Sequence, residues 1–305
     1  MVPGLTRVPS RASGCGDLPA ALARATGLRV APRPERAVGG GSVGECLRWS
    51  SDAGDLFVKL GPATSLEMFS AEADGLRELG SAAALRVPGV RGVGTASGQA
   101  FLALEWIEFA AASSRTEAML GAGLARLHRT VAPRFGWRSD NTIGATPQHN
   151  DWTDDWAQFF ATQRLGFQLD LAERNGHGGR LIERGRLLCE QLATFLAGHR
   201  PRPSLLHGDL WGGNWAADAS GGPVIYDPAV YYGDREADLA MTRLFGGFGR
   251  DFYAAYESEW SLDPGAAQRV ALYNLYHVLN HLNLFGGGYA AQAGSLIERL
   301  LAEVG

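Results

Sequence analysis

His207-Gly208-Asp209-Leu210-Trp211-Gly212-Gly213-Asn214 is the stretch on which the reading of this 305-residue chain turns. It opens with a short polar group and a glycine, then places Asp209 five positions before Asn214. A carboxylate and an amide on one short loop can take a hydroxyl proton and hold a cation side by side. The glycines let the backbone turn tightly enough for both to face one point. A polar turn between two strands would not need all eight residues.

The next stretch outward is Ile225-Tyr226-Asp227-Pro228, an apolar strand ending in a carboxylate. Between the two lie Trp215–Ala217 and the breaker-rich turn Asp218-Ala219-Ser220-Gly221-Gly222-Pro223, which predict a hairpin. That hairpin folds Val224–Tyr226 back along Trp215–Ala217, so Asp227 should return beside Asn214. Two oxygen ligands at adjacent strand ends suit Mg²⁺, which keeps few protein ligands and fills the rest of its shell with water and phosphate. An Asp followed by an Asn at this spacing is that of the catalytic loop in kinases, where the Asp takes or orients the attacking hydroxyl. Asp238, in Glu236-Ala237-Asp238-Leu239, opens a helix and is expected to buttress the loop by accepting backbone hydrogen bonds, with His207 in a similar supporting role.

Lysine and arginine total 28, yet Lys59 is the single lysine. Where nearly every positive charge is arginine, a surviving lysine points to a need for a compact ammonium, which the planar guanidinium does not imitate. Lys59 ends the strand pattern Leu56-Phe57-Val58, second after the glycine cluster, where a kinase-type lobe carries its phosphate-pairing lysine. Glu72 lies 13 residues on, three after Phe69 and four before Leu76, on the inward stripe of a helix. Those positions make Glu72 the expected partner of Lys59. Gly39-Gly40-Gly41-Ser42-Val43-Gly44 offers Gly40, Gly41 and Ser42 as a loop whose N–H groups approach phosphate. It is neither a Walker loop nor a strand-to-helix dinucleotide turn. His277 and His281 are four apart on a helix, but no HExxH accompanies them, so structural or substrate-contacting roles are read instead of chelation.

Composition excludes other classes. With 46% hydrophobic and 20% charged residues the chain carries a sizeable core. A net charge of −4 does not suit a nucleic-acid binder. Three cysteines without a CxxC pair suit neither a disulfide framework nor a structural zinc site, which fits a reducing, cytoplasmic setting. No apolar run is long enough to span a membrane. The expected organisation is a flexible leader over 1–16, a small β-rich N-lobe over 17–108 that binds nucleotide, and a larger, mainly helical C-lobe over 109–305 that carries the catalytic loop. Helices are expected at 18–28, 65–80, 114–129, 151–173, 180–198, 235–245, 250–258, 265–285 and 293–303. Strands are expected at 45–49, 55–60, 93–95 and 101–106. The fold class is therefore α+β, with a small β-rich lobe followed by a larger helical one.

The stretches LLHGDLWGGN (205–214), IYDPAVYYGDREADLAMTRLFGGF (225–248) and LYNLYHVLNHLNLFGGGY (272–289), with DDWAQFFATQRL (154–165) and EADGL (72–76), resemble the fructosamine kinase (ketosamine-3-kinase) family. The resemblance covers residues from about 30 to 301. It implies a protein-kinase-like, bilobal fold and ATP- and Mg²⁺-dependent phosphorylation of small-molecule or protein-bound ketosamines, such as fructosamines and ribulosamines, at the sugar O3. It implies in turn a labile 3-phosphate whose breakdown deglycates the amine. By position it makes Asp209 the proton acceptor, Asn214 and Asp227 the metal ligands, and Lys59 with Glu72 the grip on the α/β-phosphates. Leu104, Glu105 and Trp106 become the adenine hinge, and Trp211 and His281 face the sugar. A monomer without nucleic-acid or membrane partners is expected, with little dependence on the amine carrying the sugar. Some family members carry a cysteine after the loop glycines; here that position is Ser42, with Cys46 four residues later, which argues against redox control there. The alternatives are a small-molecule kinase of aminoglycoside or choline type, and a nucleotide-binding pseudokinase that regulates a partner. The intact set of Lys59, Asp209, Asn214 and Asp227 argues against the pseudokinase.

Overall fold

The computed structural model describes residues 18–38 and 44–304. The proposed leader and the loop residues Gly40, Gly41 and Ser42 lie outside them. The chain divides into two units, one made of residues up to Ser70 with Val90–Trp106, the other of Ala71–Gly89 with Ile107–Gly305.

The first unit holds α1 (Leu18–Thr26), β1 (Arg36–Val38), β2 (Glu45–Trp49), β3 (Leu56–Pro62), the first turn of α2 (Leu66–Ser81), β4 (Val90–Ala96) and β5 (Gln99–Glu105). Its five strands form an antiparallel sheet in the order β1-β2-β3-β5-β4. Strand β3 shows why: Leu56, Val58 and Leu60 alternate onto one face and pack with Leu18 and Leu22 of α1. The period of two then sends Lys59 to the opposite face, where it pairs across the ladder with Cys46 on one side and Leu102 on the other. The four expected strands and the expected helix are present. Strand β1 was not anticipated, because three residues beside a glycine cluster carry no period.

The second unit holds the rest of α2 and β6 (Phe109–Ala110), α3 (Ser114–His128), β7 (Asn141–Ile143), β8 (Thr146–Gln148), α4 (Trp156–Phe159), α5 (Phe167–Arg174) and α6 (Arg180–Phe195). It continues with β9 (Ser204–Leu206), β10 (Trp215–Asp218), β11 (Pro223–Ile225), β12 (Tyr231–Gly233), α7 (Glu236–Leu244), α8 (Arg250–Glu259), α9 (Ala266–Phe285) and α10 (Tyr289–Val304). Helix α3 begins where expected because Ser113 and Thr116 close a capping box. The helix expected from 151 starts only at Trp156: Asp155 caps it by accepting the Gln158 N–H at 3.1 Å, which leaves 151–154 outside. A π-helical segment, Phe160–Gly166, joins α4 to α5. The last helix starts at Tyr289, four residues earlier than expected, directly after the glycines Gly286–Gly288. Buried side chains from these helices and from β9, β11 and β12 build the unit's core.

Candidate active site

Strand β9 is buried along its whole length and pairs antiparallel with β12, Leu206 opposite Tyr231. It delivers the His207–Asn214 loop from the middle of the core. The anticipated hairpin forms, with Trp215 opposite Ile225, and Tyr226 N–H donates to the Asn214 carbonyl at 3.0 Å. Asn214 and Asp227 are thereby brought together as the spacing required. The Asn214 amide nitrogen donates to the Asp209 backbone carbonyl at 2.8 Å, to its carboxylate at 3.1 Å, and to the Asp227 carbonyl at 3.4 Å. One side chain thus links both carboxylate residues.

Asp238, near the start of α7, holds the loop from below. One carboxylate oxygen accepts the His207 N–H at 2.7 Å and the other the Gly208 N–H at 2.8 Å. The buried ring of His128 donates to the same group from Nε2 at 3.1 Å, and Tyr256 O–H donates to His128 Nδ1 at 2.8 Å. Burial pushes the Asp238 carboxyl up, but the hydrogen bond from His128, with the nearby His207 ring and the Gly208 N–H, reverses this and holds it below its ordinary value. Asp238 thus accepts two backbone hydrogen bonds from the loop.

His207 is fully buried and supports the loop from within. Nε2–H donates to the Tyr226 carbonyl at 3.0 Å, and Nδ1 accepts the Asp209 N–H at 3.3 Å. Burial holds its pKa down, so the ring is neutral at physiological pH. Gly208 has φ +83°, and a Cβ there would lie 2.0 Å from the Ala229 carbonyl oxygen. Only glycine lets the loop run this close to the segment that carries Asp227. Asp227 itself sits at φ +56°, a left-handed backbone that Asp and Asn tolerate better than most residues.

Asp209 is half-buried, and its carboxyl is pushed up to about 7. Burial is the main cause, the charges of Asp227 and Asp238 add to it, and the Asn214 hydrogen bond opposes it. A carboxylate poised near neutrality suits a group that takes a proton in the reaction.

Trp211 and His281 are linked through a third ring. Phe245 lies 6.4 Å from Trp211 and 4.8 Å from His281, centroid to centroid. The Trp211 indole lies over Gly213, where a Cβ would fall 2.3 Å from it. His281 Nδ1–H donates to the His277 carbonyl at 2.8 Å. His277 is buried, and that burial drives its pKa down to about 3.

In the first unit, Lys59 is only 7% exposed, and Leu104 is buried at the end of β5 beside the half-buried Glu105 and Trp106. The Trp106 N–H donates to the Asp55 carbonyl at 3.1 Å, so that donor is already engaged. Glu72 is half-buried on α2.

Sequence reasoning missed a second support beneath Asp227. Gln148 donates to the Ala229 carbonyl at 3.1 Å and accepts the Tyr276 hydroxyl at 2.7 Å. Asn150 ties Asn141, Ser139 and Gln148 together, and receives Arg164 Nη2 at 2.8 Å. Arg164 is fully buried in the π-helical segment, its guanidinium 4.1 Å from the Tyr231 ring centroid. Gln148 lies 81 positions from Ala229 and 128 from Tyr276, so no local spacing announces these contacts; the one sequence signal is an arginine on a helix's apolar face.

The donor set fits a hard divalent cation. With the Asn214 amide nitrogen committed to Asp209, its Oδ1 remains for a metal, and Asp227 supplies a carboxylate. Among the described residues no helix is long and apolar enough to cross a membrane.

A family model described as fructosamine kinase matches residues 17–303. A Synechocystis sp. protein assigned as a ketoamine kinase is 44% identical over 281 residues, 92% of this chain and 94% of that protein. The chloroplastic protein-ribulosamine 3-kinase of Oryza sativa subsp. indica is 41% identical over 267 residues, 87% of this chain and 78% of that one. A crystal structure from Thermobifida fusca assigned as a fructosamine-3-kinase superposes with a TM-score of 0.85 at 31% identity, covering 94% of this chain and 99% of the other. The α+β, protein-kinase-like class expected from the sequence stands with these likenesses.

Proposed function

Because this chain belongs to the fructosamine kinase family, we propose that it transfers the γ-phosphoryl group of ATP to the sugar O3 of a ketosamine. The observation that carries the reading is the Asp209–Asn214–Asp227 cluster: a carboxyl near neutral pKa, bridged by one amide to the second acidic residue.

In this reading Asp209 accepts the O3 proton as the oxygen attacks the γ-phosphorus and the bond to ADP breaks. Asn214 Oδ1 and the Asp227 carboxylate hold Mg²⁺, which when bound offsets charge on the phosphate oxygens. Asp238, through the His207 and Gly208 N–H groups, keeps Asp209 in place; no proton passes through it. Lys59 and Glu72 act as the phosphate-binding lysine and its carboxylate partner, a role resting on their sequence pattern. Leu104, Glu105 and Trp106 contribute the adenine hinge on the same footing, as do Gly40, Gly41 and Ser42 the phosphate loop. Trp211 and His281 contact the sugar. Most of the rate comes from positioning and charge stabilisation, since phosphoryl transfer needs little covalent help. The 3-phosphate product is labile, and its breakdown frees the amine as a deglycation step. The enzyme works as a cytoplasmic monomer.

The test is ADP formation by the purified protein with Mg²⁺ and the ribulosamine or fructosamine of a simple amine, with ³¹P NMR locating the phosphate at O3. Turnover is expected, with the smaller ribulosamine favoured. Ready phosphorylation of an aminoglycoside and of no ketosamine would overturn the substrate assignment while leaving the catalytic residues in place.

A further inference from the structure

Eight large apolar side chains are exposed among the described residues. Three of them, Trp211, Phe245 and Phe285, belong to a single ring-to-ring series through His281. From Trp211, two residues after Asp209, the series passes to Phe245 at 6.4 Å and to His281 at 4.8 Å. It then forks to Phe285 at 5.4 Å and Tyr289 at 5.3 Å. Trp211 is 40% exposed, Phe245 43% and Phe285 67%. Single exposed rings need no explanation, but a connected strip leading out of a reaction centre is a binding feature.

Its chemistry is specific. Phe245 follows the last residue of α7, and Phe285 ends α9. Glycines with positive φ follow both, Gly246 at +73° and Gly247 at +95°, Gly286 at +64° and Gly287 at +63°. Each glycine pair turns the chain away directly after the ring. Carbonyl ends of helices and the faces of aromatic rings both favour a cation. His281 Nδ1 donates to its own helix, which leaves Nε2 as an acceptor within the strip.

We infer that the strip Phe245–His281–Phe285–Tyr289 binds the amine half of the substrate and selects amines that carry an aromatic or other apolar group. The inference rests on the ketosamine reading. In a ketosamine the nitrogen lies four bonds from O3 and is a protonated secondary amine. With O3 at Asp209 and the sugar on Trp211, the ammonium falls at the Phe245 and His281 rings, and its substituent continues over Phe285 and Tyr289. The sequence reading expected little dependence on the amine; a strip of four rings past the sugar argues the reverse.

The experiment compares kcat/KM for the ribulosamines of phenethylamine and ethanolamine, which share sugar and ammonium and differ in the apolar group. Ring stacking leads to an expected preference of about tenfold for the phenethylamine adduct. Phe285→Ala, at a site too exposed to threaten folding, should reduce it to about twofold or less. Trp152→Ala removes an exposed ring outside the strip and should leave the ratio unchanged. Turnover of both adducts at equal kcat/KM overturns the inference and leaves the ketosamine reading standing. A preference that survives both Phe285→Ala and Phe245→Ala also overturns it. Turnover of neither adduct overturns both.

Discussion

Asp209→Asn should inactivate the protein and at the same time stabilise it. The Asp209 carboxyl rises from the ordinary 3.8 to about 7 in the fold, chiefly through burial. Between those two values the folded state holds a proton that the unfolded state has lost. Stability therefore falls as pH rises through that window, the reverse of a salt-bridged aspartate. Three pKa units at about 1.4 kcal/mol each set an upper figure of about 4 kcal/mol above pH 7. Asp209 is half-buried, so water screens part of this, and about 1–2 kcal/mol is the expected gain. For a chain of this size that raises Tm by about 2–6 °C. Asparagine keeps an acceptor for the Asn214 amide, so no hydrogen bond need be lost. The assay is calorimetry of both proteins in metal-free buffer at pH 8 and pH 5, beside a turnover measurement. The Tm gap should be clear at pH 8 and shrink by more than half at pH 5, while kcat falls by about 10²–10⁴. A variant no more stable than wild type at pH 8 would refute the raised pKa. Activity within about tenfold of wild type would refute the proton acceptor.

Gly208→Ala should lower stability by about 2 kcal/mol or more, because its Cβ has no room beside the Ala229 carbonyl and its φ disfavours a side chain; thermal melts and kcat should fall together. Lys59→Arg keeps the charge but not the ammonium's shape, and should cost most of the activity while circular dichroism shows the fold retained. Asp227→Ala should abolish turnover at ordinary Mg²⁺ concentrations, since Asn214 alone is a weak ligand; an unchanged Mg²⁺ dependence of the rate would place the metal elsewhere.

The loop from Asp209 to Asn214 was legible because its geometry is local. Asp209 and Asn214 must reach one point from one turn, so their spacing is visible in the sequence. Asp227 could be added because a hairpin is also a local object, and its turn residues announce where the strand returns. Asp238 could be assigned a buttressing role because it opens a helix soon after that hairpin. Short elements escaped notice for the opposite reason: β1, β7, β8 and β12 are three residues each, too short to display a period.

What only the tertiary structure decided are the contacts that close over long stretches of chain. His128 meets Asp238 across 110 positions, and Tyr276 meets Gln148 across 128. The raised pKa of Asp209 is likewise a tertiary property, since burial and two neighbouring carboxylates produce it. The same holds for the aromatic strip. Phe245 and Phe285 each end a helix in sequence, but only the packing of α7 against α9 brings both rings onto His281 and makes one surface of them.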